Sequence, residues 1–141
     1  MDAAPPNSTP HASPVGLTEP LDWSSDVPAY EQVKQRVKAG VARGAFAPHA
    51  HLPSVRELAK SLVVNPNTII RVYRELEQEG VLYTRKGVGV FVAPRTAGRC
   101  RRETDEVVEE RLREAIGLAR RADMDEAALE ALWRRLRDER A

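Results

Sequence analysis

Between Leu52 and Gly80 the chain reads LPSVRELAKSLVVNPNTIIRVYRELEQEG, and this run holds two helix starts eleven residues apart. Ser54 followed by Glu57 has the pattern of a capping box. The hydroxyl accepts from the Glu57 N–H, and the carboxylate returns to the Ser54 N–H. Asn65 before Pro66 marks the second start, with proline at the first helical position, where its missing N–H costs nothing. Gly80 fits the position just past the end of that second helix. Two short helices joined by a tight turn make a helix-turn-helix, whose second helix enters the DNA major groove N-terminus first. The next segment, VLYTRKGVGVFV, has two β-rich runs around Lys86-Gly87 and reads as a hairpin. A helix-turn-helix followed by a hairpin is a winged helix, which implies duplex DNA as the ligand.

Apolar spacing assigns a face to each helix. A first helix spans about Ala29 to Arg43, with Tyr30, Val33, Val37 and Val41 on one side. Gly40 inside it weakens the helix by about 1 kcal/mol relative to Ala, and the sequence offers no reason for it. In the second helix, Val55 to Leu62, the buried stripe is Val55, Leu58, Ala59 and Leu62, which turns Arg56 and Lys60 outward. In the recognition helix, Pro66 to about Gln78, the stripe is Ile69, Val72, Tyr73 and Leu76, and the Tyr73 ring on it is structural. Asn67, Ile70, Arg71 and Arg74 project away. Val63 stands in the turn where many such motifs carry glycine, and a β-branched residue is strained at positive φ. Either the second helix runs longer, or the turn takes another geometry.

The outward residues suit DNA. Asn67 is placed to pair bidentately with adenine N6 and N7, and Arg71 to reach guanine O6/N7 or a phosphate. Arg74 lies further from the helix start and suits the backbone. Thr68 serves a phosphate or caps its own helix. Ser54 is a weaker phosphate candidate, because its hydroxyl is committed to capping. Exposed Ile70 can pack on a thymine methyl group. In the wing, Arg85 and Lys86 bring charge to the tip, while Gly87 and Gly89 let the backbone turn tightly and approach the minor groove or phosphates.

These pieces resemble the DNA-binding domain of the GntR superfamily of bacterial transcription regulators, and are closest to its YtrA-like branch. The resemblance is carried by Leu52-Pro53-Ser54, Arg56-Glu57-Leu58-Ala59, Asn65-Pro66-Asn67-Thr68, Tyr73-Arg74-Glu75-Leu76-Glu77, Glu79-Gly80, Thr84-Arg85, Gly87, Gly89 and Phe91-Val92. It covers roughly half the chain, from about Pro28 to Val92. It implies a DNA contact for Arg56, dimerisation through short C-terminal helices, and target operons of the neighbouring-transporter kind. Several other branches carry an arginine where Ile70 stands, so their base code does not transfer. The larger effector-binding or aminotransferase-like domains of other branches are not expected, since fewer than fifty residues follow Val92.

A net charge of +1 over 141 residues is low for a nucleic-acid binder, but the charge is segregated. Residues 1–27 carry four acids and no Lys or Arg, and 28–94 carry ten bases against five acids. Residues 95–102 add four arginines, and 103–141 hold eight bases against twelve acids. Counterion release from phosphate needs only that local positive density. Residues 1–27, with Pro5, Pro6, Pro10, Pro14 and Pro20 among Ser, Thr, Asn and Ala, read as a disordered arm, with Trp23 either docked on the domain or free. Residues 28–94 form the winged helix and 95–102 a basic linker. Residues 103–141 are helical: Val107, Val108, Leu112, Ile116 and Ala119 share one face. Asp123 or Asp125 caps a second helix with a Leu129, Leu132, Trp133 and Leu136 stripe. Two such helices cannot build a core of ordinary size. Their stripes, including Val108, Leu112, Ile116, Leu129, Leu132, Trp133 and Leu136, are expected to meet a second copy of the chain, the alternative being packing back onto the winged helix.

The fold expected is therefore mostly α with a small β-hairpin, an N-terminal winged helix-turn-helix followed by a two-helix C-terminal dimerisation segment. The function expected is that of a homodimeric regulator, a repressor on an inverted-repeat operator in double-stranded DNA. A winged-helix protein–protein interaction module is the alternative. No nucleophile–base pair, phosphate loop or acid/base carboxylate pair occurs, so neither catalysis nor a cofactor is expected. His49 and His51 lack nearby Cys, Asp or Glu and make a poor metal site. Cys100 among Arg99, Arg101 and Arg102 is a plain linker cysteine or, less simply, a redox-sensitive thiol. A single cysteine, no apolar run near 18 residues and no basic signal region imply a soluble cytoplasmic protein without membrane partners.

Overall fold

The computed structural model describes residues 16–139, so the arm expected to be disordered lies outside it as far as residue 15. The elements are α1 (Ala29–Ala42), α2 (Val55–Leu62), α3 (Pro66–Gln78), β1 (Leu82–Arg85), β2 (Gly89–Val92), α4 (Ala97–Arg121) and α5 (Glu126–Asp138). They divide after Thr104 into two compact units.

The first unit is built on the apolar stripes expected from spacing. Val33, Val37 and Val41 of α1, Leu58, Ala59 and Leu62 of α2, and Ile69, Val72, Tyr73 and Leu76 of α3 are buried in one cluster with Phe46, Leu52, Val81, Leu82 and Val92. Gly40 now has its reason. The buried Phe46 ring lies against α1 at that point, and a Cβ on residue 40 would meet its Cδ2 and Cζ at 2.6 Å and its Cε2 closer still.

Residues 16–27 depart from the expected disorder. Leu17 and Leu21 are buried in the cluster. The Arg36 guanidinium donates to the carbonyls of Leu17, Glu19 and Pro20, and the Gln32 amide donates to those of Asp22 and Val27. Trp23 is exposed, so it does not dock. Two apolar side chains and two polar clamps from α1 are enough to order a segment whose composition alone suggests none.

Both helix starts form as read. Ser54 Oγ accepts from the Glu57 N–H at 3.1 Å, and Asn65 Oδ1 accepts from the Asn67 N–H at 2.8 Å. The return bond from the Glu57 carboxylate is absent among the hydrogen bonds of the described residues, so only half of the box is made. Between the helices, Val63 takes the left-handed conformation itself, at φ 56° and ψ 50°, and α2 ends on it. Its side chain is 82% exposed, so no packing offsets the strain. An L-residue in this region costs about 1–2 kcal/mol, and glycine's extra freedom in the unfolded chain returns about half of that. Val63→Gly is therefore expected to raise stability by about 0.5–1 kcal/mol in denaturant unfolding. A loss of stability would show that the turn depends on the valine side chain.

The hairpin pairs Leu82 with Val92, Tyr83 with Phe91, Thr84 with Val90 and Arg85 with Gly89. Its turn is closed by Val88 N–H on Arg85 C=O at 2.9 Å, with Gly87 at φ 78°. Residues 49–52 add a third edge. The His49 N–H donates to Val92 C=O, the Leu52 N–H to Val90 C=O, and the Val92 N–H to Ala50 C=O.

The expected linker at 95–102 is corrected. Helix α4 begins at Ala97, Thr96 is buried, and Cys100 is fully buried in the core of the first unit. Burial pushes the Cys100 thiol up and Glu103 adds to it, outweighing Arg99 and Lys38, so the thiol is not activated. Four arginines in eight residues suggest solvated chain, although every fourth position can still face inward on a helix.

The second unit comprises the rest of α4 together with α5. Asp123 takes a left-handed conformation after α4, and Asp125 Oδ1 caps α5 by accepting from the Ala128 N–H at 2.7 Å. Ala119 is buried and Leu129 and Leu132 are half-buried, but Val108, Leu112, Ile116, Trp133 and Leu136 are all exposed. No helix among the described residues is long and apolar enough to cross a membrane.

Candidate nucleic-acid interface

The Asn65 cap fixes where α3 starts, and the burial of Ile69, Val72, Tyr73 and Leu76 fixes its rotation. Together they leave Asn67, Ile70, Arg71 and Arg74 exposed on the outer side, with Thr68 half-buried beside them. Tyr73 is locked by its hydroxyl, which donates to Pro53 C=O at 2.7 Å, and burial raises its pKa. That bond ties α3 to the turn that starts α2, where Ser54 and Arg56 are both exposed.

At the wing, Arg85, Lys86 and Gly87 are exposed and Gly89 is half-buried. Gly89 sits at φ 149°, and a Cβ there would run into the His51 ring. The histidines serve the wing's base. Tyr83 OH and His49 Nδ1 share a 2.7 Å hydrogen bond, while the His51 and Tyr83 rings each stack on Phe91, at 4.8 and 5.5 Å. Among the described residues no group of three or more His, Cys, Asp or Glu side chains is placed to hold a metal ion. Thr84 Oγ1 donates to Glu77 Oε2 at 3.1 Å, linking the wing to α3.

Sequence reasoning missed two features here. Arg71 does not simply project. Its guanidinium carbon lies 3.6 Å from the centroid of the Tyr30 ring, and its Nε is 3.5 Å from Glu75 Oε1. In the sequence, Tyr30 shows only as an apolar position of α1.

The second feature is an ion-pair lattice across α1, α3 and the start of α4. Lys34 pairs with Glu75 and Glu79, Lys38 with Glu79 and Glu103, and Arg99 with Glu103. Burial disfavours the Glu79 carboxylate, but hydrogen bonds from Lys34 and Lys38 outweigh it and hold its pKa below the ordinary 4.5. Burial likewise disfavours the Lys38 ammonium, but Glu103 and Glu79 outweigh it and raise its pKa above 10.5. A depressed carboxylate stabilises the fold above its unfolded value and ceases to do so as pH falls through its folded value. A raised ammonium does the reverse at the alkaline end. Thermal unfolding is thus expected to show its highest melting temperatures between those limits, with Glu79→Gln flattening the acid fall below pH 4.5. An acid limb unchanged by Glu79→Gln would contradict the coupling.

A capped helix presenting polar and basic side chains beside a basic-tipped hairpin defines a winged helix-turn-helix of the kind that reads duplex DNA. Residues 29–92 match the family of bacterial regulatory proteins named for gntR. The chain is 35% identical over 100 residues to the HTH-type transcriptional regulator Rv1152 of Mycobacterium tuberculosis, covering 71% of this chain and 78% of that one. It is 42% identical over 73 residues to the HTH-type transcriptional repressor YtrA of Bacillus subtilis, covering 52% of this chain and only 56% of the relative. Among solved structures, the AraR DNA-binding domain in complex with operator ORX1 aligns with a TM-score of 0.50 at 30% identity, over 53% of this chain and 95% of that one. The chain belongs to the GntR family.

Proposed function

We propose that the protein is a cytoplasmic, sequence-specific DNA-binding regulator, a repressor that acts as a homodimer on an inverted-repeat operator. The observation that carries the reading is the outer side of α3, where Asn67, Ile70 and Arg74 are exposed next to the Asn65 cap. An operator-bound relative of the same fold and the YtrA repressor support it. Asn67 pairs with a base edge, Ile70 packs on a thymine methyl group, and Arg56, Arg74, Thr68 and Ser54 hold the backbone. Arg85 and Lys86 meet phosphate or the minor groove, with Gly87 and Gly89 shaping the approach. The apolar side chains left in water on α4 and α5 join two copies, and two recognition helices then read two half-sites.

Asn67→Ala is expected to cost about 1–3 kcal/mol on the duplex that the wild-type protein enriches, with relaxed preference at one base position per half-site. Arg56→Ala should weaken binding to all duplexes alike and lower the salt slope by about one. Titrations at several salt concentrations check both. Unchanged DNA binding in both variants, with the dimer intact, would point instead to a protein-binding module.

A further inference from the structure

We infer that Tyr30 is a positioning residue for DNA recognition, acting through Arg71; the inference rests on the reading that Arg71 touches DNA. Helix α1 places Tyr30 half-buried against the core, so its ring is held on one side while its face stays available. The Arg71 guanidinium carbon lies over that face, 3.6 Å from the ring centroid and well inside the range of a cation–π contact. A free arginine on a recognition helix samples many rotamers, and ordering it on DNA costs about 0.5–1.5 kcal/mol. Stacking removes much of that freedom beforehand. It covers a face of the guanidinium, which carries no N–H, and leaves the edge donors for bidentate pairing. Glu75 Oε1 stands 3.5 Å from Nε, too far for a strong hydrogen bond, so the acid steadies the side chain without taking those donors. The Arg71 side chain remains 55% exposed in this arrangement.

Tyr30 thus plays a part that its apolar position in α1 conceals. The aromatic face is the working feature, and the hydroxyl is secondary: among the described residues it donates only to Glu31 Oε1, at 3.3 Å. Tyr30→Phe keeps the face. Tyr30→Leu keeps apolar bulk but loses it.

A double-mutant cycle on the full-length protein, titrated with the duplex enriched by the wild type, tests this. Tyr30→Leu is expected to weaken binding about three- to tenfold, the range set by an exposed to partly desolvated cation–π contact. Tyr30→Phe should stay within about twofold of wild type. In an Arg71→Ala background, Tyr30→Leu should cost nothing further. Folding is followed in parallel by thermal unfolding, so that a loss of stability is separated from a loss of aim. A Tyr30→Leu penalty that persists undiminished in Arg71→Ala, or wild-type affinity in Tyr30→Leu when Arg71→Ala is weakened, would overturn the positioning role while leaving the Arg71 contact standing. Full affinity in Arg71→Ala itself would remove that contact, and the role of Tyr30 with it.

Discussion

Leu112→Asp combined with Leu136→Asp is expected to give a monomer whose winged helix remains folded but whose affinity for the enriched duplex falls about a hundred- to ten-thousandfold. The size follows from linked binding. Once one half-site is engaged, the second recognition helix meets its own at the effective concentration set by the tether, and a monomer forfeits that gain. The choice of residues follows from exposure. Leu112 and Leu136 stand in water together with Val108, Ile116 and Trp133, although burying such a side chain is worth about 1.5–3 kcal/mol. Leu129 and Leu132 are already half-buried, so substitutions there would confuse unfolding with dissociation. Sedimentation gives the mass, duplex titration the affinity, and circular dichroism the fold. A double variant that stays dimeric, or a monomer that binds as tightly as wild type, would sink the dimer reading.

Gly40→Ala is expected to destabilise the first unit by about 1–2 kcal/mol, although alanine is the better helix former. Two effects compete. Replacing a helical glycine gains about 1 kcal/mol, whereas forcing a methyl group into the Phe46 ring, itself only 3% exposed, costs about 1–3 kcal/mol. The contact distances place the clash at the upper end, because three ring atoms lie within 2.6 Å of the new carbon. Phe46 cannot swing away cheaply, since its N–H also donates to Gly40 C=O at 3.1 Å. A melting temperature lowered by several degrees is expected. Gly40→Ala should cost much less, or become favourable, in a Phe46→Leu background. Higher stability from Gly40→Ala alone would show that the ring yields and that the glycine is not there to make room.

Local chemistry was legible in the sequence and distant pairing was not. The Ser54 and Asn65 caps, the stripes of α1 to α3 and the hairpin around Lys86-Gly87 were all readable, because each signal lies within a few residues of the structure it specifies. Gly40 was visible as an anomaly but acquired a reason only through Phe46, whose approach depends on the loop after α1. Val63 showed the opposite limit. The strain was foreseen, but the chain accepts it rather than lengthening α2. Residues 16–27 and 95–102 were misjudged from composition, because Leu17, Leu21 and Cys100 are isolated apolar residues whose partners lie far along the chain. The recognition surface divides in the same way. Which residues of α3 face outward follows from helical period, but the stacking of Arg71 on Tyr30 joins positions forty-one residues apart and leaves no trace in either segment.

The central claim is that this winged helix reads a paired DNA site. Enrichment of random duplex DNA on the purified full-length chain, followed by affinity against salt for the winning sequence, tests it most directly. An inverted repeat bound by two protomers, with affinity falling steeply as salt rises, is the expected result. Failure to enrich any motif at moderate salt, together with weak binding to every duplex offered, would contradict it.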